Sequence, residues 1–130
     1  MRTIMVFGTF DRLHPGHIDF FKQARKYGDR LVAIVARDKT VQKVKEKSPL
    51  QREHERLTAV RQLGLVDEAR LGHESDYYKV IRDVKPDMIC LGYDQTHFTK
   101  DLPTLFPDIG LVTLEPFHPE VYKSSKLRSE

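Results

Sequence analysis

The sequence predicts an α/β protein: one domain over residues 1–130, three layers deep, with a mostly parallel five-stranded sheet in the middle. Short apolar runs recur along the chain, as strands buried on both faces require, and segments with apolar residues at helical spacing separate them. Length agrees. At 130 residues, 39% of them hydrophobic, the chain can bury one substantial core and is short for two.

Ile4, Met5, Val6 and Phe7 form an unbroken apolar run that ends at Gly8, the first strand. A helix follows, with Pro15 or Gly16 near its start, Ile18, Phe21 and Ala24 along one side, and Gly28 as its stop. Leu31 to Ala36 reads as a second buried strand. After a basic segment, Leu57, Val60 and Leu63 mark a helix closing at Gly64, and Glu68 to Leu71 forms a short third strand. Tyr77, Val80, Ile81 and Val84 keep helical spacing up to Pro86. Met88 to Leu91 is the fourth strand, ended by Gly92, and a short helix around Leu102 to Phe106 leads to the last strand at Leu111 to Leu114. Strands alternating with helices give a Rossmann-like topology. A Lys-rich loop and the tail after Pro116 are the irregular pieces, and irregular pieces on a rigid sheet are where sites lie.

The 22 Lys and Arg exceed the 19 Asp and Glu by three, a bias too mild to mark a nucleic-acid binder. Its distribution is informative. Arg37, Lys39, Lys43, Lys45 and Lys47 stand against only Asp38 and Glu46, so the segment 37–47 carries the whole net charge and suits an anionic ligand. No long apolar run or signal-peptide pattern occurs near the N-terminus, and the single Cys90 has no partner for an internal disulfide, so a cytoplasmic, reducing setting is expected, away from membranes.

The stretch "GTFDRLHPGH", residues 8–17, occupies the edge of the sheet where ligands bind in such folds. Gly8 lets a ligand approach the backbone, and the loop runs into a helix start whose amides favour an anion. Pro15 fits the first helical turn. His14 before it and His17 just inside can address one phosphate, and imidazoles are good donors to a phosphoryl oxygen whose charge grows in a transition state. A Pro-Gly turn flanked by exposed histidines remains the structural alternative, and a zinc site from Asp11, His14 and His17 lacks a fourth ligand nearby.

On these residues the chain resembles the cytidylyltransferase-like nucleotidyltransferases, in which a G-[ST]-F-D segment and an H-x-G-H motif bind the triphosphate of CTP or ATP. The resemblance places nucleotide contacts on Gly8, Thr9, Phe10, Asp11, His14 and His17. The Lys-rich loop with "EHERL" after it is similar to the family segment that neutralises the β- and γ-phosphates, which implies that role for Lys45, Lys47 and Arg56. "LGYDQ", residues 91–95, resembles the segment whose glycine and aspartate border base and ribose, here Gly92 and Asp94. "YKSSKLR", residues 122–128, is similar to a late Ser/Thr-rich helix start that presents hydroxyls and amides to the phosphates, here Ser124 and Ser125. Each also has a plainer reading: a solvated lysine surface, a strand-to-turn exit, a pair of N-caps.

The resemblance implies transfer of a nucleoside monophosphate with release of pyrophosphate. His14 and His17 would stabilise the transition state, Lys45 and Lys47 would hold the departing pyrophosphate, and Mg²⁺ or another divalent metal would bridge phosphate oxygens. A homodimer is the expected assembly. "VARDKTV", residues 35–41, with "GYDQ" and "YKSSK", is closer to the archaeal-type FAD synthetases, which adenylylate FMN with ATP. The alternative is CMP transfer from CTP to glycerol 3-phosphate or a similar alcohol phosphate. It is weakened because His118 stands where the "RTEGIST" segment of those enzymes has its arginine. H-x-G-H with a later K-S-S-K also echoes class I aminoacyl-tRNA synthetases, and a non-catalytic nucleotide sensor is the remaining class.

Overall fold

The first apolar run becomes the middle of the sheet, with Ile4, Met5 and Val6 wholly buried. The computed structural model describes residues 1–45, 49–74, 76–92, 95 and 99–116, with the backbone alone at 44 and 45. In chain order its elements are β1 (Thr3–Gly8), α1 (Pro15–Arg25), β2 (Arg30–Val35), α2 (Asp38–Lys45), α3 (Glu53–Leu63), β3 (Glu68–Leu71), α4 (Lys79–Val84), β4 (Met88–Leu91), α5 (Leu102–Leu105) and β5 (Gly110–Thr113), with one 3₁₀ turn at Thr99–Asp101. The strands lie in the order β3-β2-β1-β4-β5, and all neighbours are parallel.

The period of two along a strand sorts the core into two faces. Ile4, Val6, Leu31, Ala33, Val35 and Cys90 meet Phe21 and Ala24 of α1 and Leu57 and Val60 of α3. Met5, Phe7, Val32, Ile34, Ile89 and Leu91 meet Val80 and Ile81 of α4 and Leu102 of α5. Three layers result, and each large apolar side chain taken fully from water in them stabilises the fold by ~1.5–3 kcal/mol. The chain winds outward from β1 through β2 to β3, then returns to the other side of β1 for β4 and β5. The crevice past the carboxyl ends of β1 and β4 is the switch point where such sheets take ligands.

Three details differ from the sequence-based expectations. The bounds of β2 and β5 shift one residue toward the N-terminus relative to the apolar runs. Gly28 is not the stop of α1: that helix ends at Arg25 with Lys26 as its cap, and Gly28 is small because a Cβ there would stand 2.7 Å from the Arg2 carbonyl oxygen. Most of the Lys-rich stretch is helix α2 rather than loop. Asp38 favours a helix start by its charge, Val41 supplies a buried anchor, and no Gly or Pro intervenes before Pro49. Among the described residues no helix is long and apolar enough to cross a membrane.

Candidate active site

The exit from β1 is a strained loop held by side chains from elsewhere. Phe10 and Arg12 both lie in the left-handed region, at φ 53° and 55°, where a residue with a Cβ is disfavoured. The Phe10 ring is buried against Phe21, 5.0 Å between centroids, and meets the His17 ring edge-on at 5.8 Å. It also lies over Gly8, where a Cβ would come within 2.6 Å of the ring. The missing side chain of Gly8 therefore makes room for Phe10, whereas the sequence suggested room for a ligand.

The loop is clasped to the segment before α3. Asp11 accepts from the Leu50 and Gln51 amides at 2.7 and 2.9 Å, and the Arg12 amide donates to Gln51 Oε1 at 2.9 Å. Partial burial pushes the Asp11 carboxyl up, but those two amides and the Arg56 and Arg12 guanidiniums outweigh it and hold the group below the usual aspartate range. Both Asp11 oxygens are thus engaged in shaping the loop.

His14 and His17 form a reciprocal cap at the start of α1. His14, in extended conformation, is the N-cap and its Nδ1 accepts from the Gly16 amide at 3.0 Å. The His17 Nδ1 accepts from the His14 amide at 3.2 Å. This is the geometry of a capping box with two imidazoles in place of hydroxyl and carboxylate. Pro15 at the first helical position has no amide proton to satisfy. The rings are 4.0 Å apart, and because each Nδ1 is an acceptor, each neutral ring carries its proton on Nε2. Both rings stand in the loop that leaves the carboxyl end of β1. The zinc alternative loses ground, since these Nδ1 atoms and both Asp11 oxygens already serve backbone amides.

Arg56 corrects the expectation of a direct phosphate contact. It is wholly buried. Its guanidinium donates to the Thr9 carbonyl at 2.7 Å, the Gln51 carbonyl at 3.0 Å and Asp38 Oδ1 at 2.7 Å, leaving it a fastener of the β1 exit, the α3 entry and α2. Asp38 and Glu53 reinforce it by exchange: Glu53 accepts from the Asp38 amide at 2.9 Å, and Asp38 accepts from the Glu53 amide at 3.3 Å. Arg37 adds bonds to Glu53 and to the Gly72 carbonyl. Helix α2 is thereby directed so that its C-terminal end bears Lys45, whose side chain lies outside the described residues, as does Lys47.

Gly92 follows β4, as the sequence suggests, across the crevice from the β1 exit. Its amide donates to Gln95 Oε1 at 2.8 Å, a contact no sequence pattern announces. A lone glutamine has no pattern to reveal it. Asp94, Ser124 and Ser125 lie outside the described residues. Past the end of β5, Gln23 of α1 donates to the Glu115 carbonyl at 3.0 Å and accepts from the Glu115 amide at 2.9 Å. Among the described residues no group of three or more His, Cys, Asp or Glu gathers to hold a metal.

Comparison with known proteins agrees with this architecture. The cytidylyltransferase-like family model matches residues 5–130. A relative named FAD synthase from Aciduliprofundum boonei is 50% identical over 102 residues, 78% of this chain and 68% of its own length. Another FAD synthase, from Thermoplasma volcanium, is 39% identical over 134 residues, covering 100% of this chain and 94% of its own. A crystal structure titled lipopolysaccharide core biosynthesis protein, also from Thermoplasma volcanium, superposes with a TM-score of 0.85 at 39% identity, over 91% of this chain and 99% of the other.

Proposed function

The chain belongs to the cytidylyltransferase-like family, and from that membership we propose that it is an FMN adenylyltransferase, transferring AMP from ATP to FMN to give FAD and pyrophosphate. The FAD synthase relatives that match its full length support this substrate pair over the lipopolysaccharide title, which belongs to one solved structure. A phosphate oxygen of FMN forms the new bond to the α-phosphorus of ATP, and the bond from that phosphorus to the bridging oxygen of the β-phosphate breaks. The nucleophile is already ionised at neutral pH, so no general base is needed, and catalysis reduces to positioning and charge stabilisation.

The observation that carries the reading is the His14–His17 pair, fixed as two Nε2–H donors at the sheet's ligand-binding edge. In this reading they stabilise charge growing on the phosphoryl oxygens, while Lys45 and Lys47 hold the pyrophosphate as it leaves. Gly8, Thr9 and Phe10 shape the loop that receives the triphosphate, and Asp11 and Arg56 keep that shape. Gly92 and Asp94 border the base and ribose, and Ser124 and Ser125 complete the phosphate side. Among the described residues no carboxylate cluster gathers for a divalent cation, and the oxygens of the ATP phosphates are the ligands such a cation would keep.

The test is direct. Purified protein with ATP, FMN and a divalent metal should form FAD, seen by chromatography and by quenching of flavin fluorescence. Pyrophosphate release from CTP with glycerol 3-phosphate, without FAD formation, would replace this substrate pair by the cytidylyl one.

A further inference from the structure

The ladder joining β1 to β4 has its last aligned pair at Val6 and Cys90. Beyond it the two strands run on to different loops. β1 leads through Phe7 and Gly8 to the histidines, and β4 leads through Leu91 to Gly92. The Gln95 side chain joins the two exits. Gln95 Oε1 accepts from the Gly92 amide at 2.8 Å, and Gln95 Nε2 donates to the Phe7 carbonyl at 2.7 Å.

The Gln95 amide thus acts as an additional peptide unit, closing the mouth of the sheet one step past its ladder. Its own backbone is fixed as well, since the Gln95 amide donates to the Gly92 carbonyl at 3.0 Å. Only a primary amide of this length has donor and acceptor side by side. A glutamate offers acceptors alone and a lysine donors alone. Inverting the amide would set its NH₂ against an N–H and its oxygen against a carbonyl, so the orientation is unique.

We propose that Gln95 is a positioning residue for adenylyl transfer, fixing the distance between the base side of the site at Gly92 and the phosphate side that begins at Phe7. The proposal rests on the nucleotidyltransferase reading above. An adenine held by the β4 exit is in register with the His14–His17 donors only while these two strand ends keep their separation, and a small misplacement of reacting groups costs rate steeply.

Two variants test it. Gln95→Glu keeps the length and the acceptor for Gly92 but sets an anionic oxygen against the Phe7 carbonyl. Gln95→Met keeps the length and makes neither bond. Each is assayed for FAD formation as kcat and KM for ATP, alone and combined with His17→Ala, with folding followed by urea denaturation. Each should lower kcat by about tenfold or more at saturating ATP in the otherwise unaltered protein. In the His17→Ala background the loss should shrink to less than about twofold, because the donor being positioned is already gone. Equal losses in both backgrounds, wild-type kcat, or failure of both variants to fold would each overturn the proposal in favour of a purely structural staple. The substrate reading is judged separately on the wild-type protein. If that protein works only with CTP and an alcohol phosphate, the same ratios are measured as pyrophosphate release with that pair.

Discussion

At the residue scale, His17 carries two duties that a substitution separates. Its Nδ1 caps α1 and its Nε2–H is the proposed phosphoryl donor. His17→Ala should cost about 1 kcal/mol of stability, as loss of a cap does. Turnover should fall by ~10²–10³, as when one preorganised donor to a developing oxyanion is removed. FAD formation rates beside urea denaturation curves check both, and near-normal turnover would take His17 out of the mechanism. The histidines were legible because their chemistry is written in residue type and local spacing, three apart around Pro-Gly. Arg56 was not, because its partners Thr9 and Asp38 lie 47 and 18 positions away and only the fold brings them together. For the same reason Asp11 could be placed at the site but not assigned its clasp on Leu50 and Gln51.

Helix and strand ends divide into those set locally and those set by neighbours. Gly64 closes α3 in the left-handed conformation at φ 71°, and a Cβ there would meet nothing within 4 Å. Gly64→Ala therefore isolates backbone strain. It should cost ~1–2 kcal/mol in the folded state, partly offset by ~0.4–1 kcal/mol from the stiffer unfolded chain. A lower urea midpoint with an unchanged slope is the expected result, and an unchanged midpoint would mean that the turn relaxes freely. This helix stop could be read from sequence because the requirement is confined to one residue. Helix α2 could not, since its start depends on the exchange of bonds between Asp38 and Glu53, 15 residues apart. Its lysines suggested solvent, and Val41 and Val44 make one apolar pair at helical spacing, too short a pattern to mark a helix.

For the whole molecule, Asp67 ties three elements at one corner. It accepts from Arg25 of α1 at 2.6 Å and from the Leu31 amide of β2 at 2.8 Å, just ahead of β3. The Arg25 hydrogen bond, then the Leu31 amide, hold its carboxyl below the ordinary value of 3.8 against partial burial. A carboxyl depressed in the folded state adds stability that is complete above its unfolded value and is lost as pH falls through the folded one. Asp67→Asn should thus lower stability at pH 7 and flatten the decline in acid, compared by urea denaturation at about pH 7 and pH 3. Parallel pH profiles for the two proteins would remove Asp67 from the acid response. The alternation of strand and helix was legible along the chain, whereas the strand order was not, because it records which neighbours β1 accepts. That order has a consequence for synthesis. β1 and β2 are both synthesised by residue 35, yet β4, which pairs with the other edge of β1, begins only at Met88, 53 residues later, an interval of about 3–11 s at ~5–20 residues per second. Through that interval the strand that leads to the histidine loop has one hydrogen-bonding edge unclaimed, and it is from this edge, later covered by β4, that newborn chains would pair with each other.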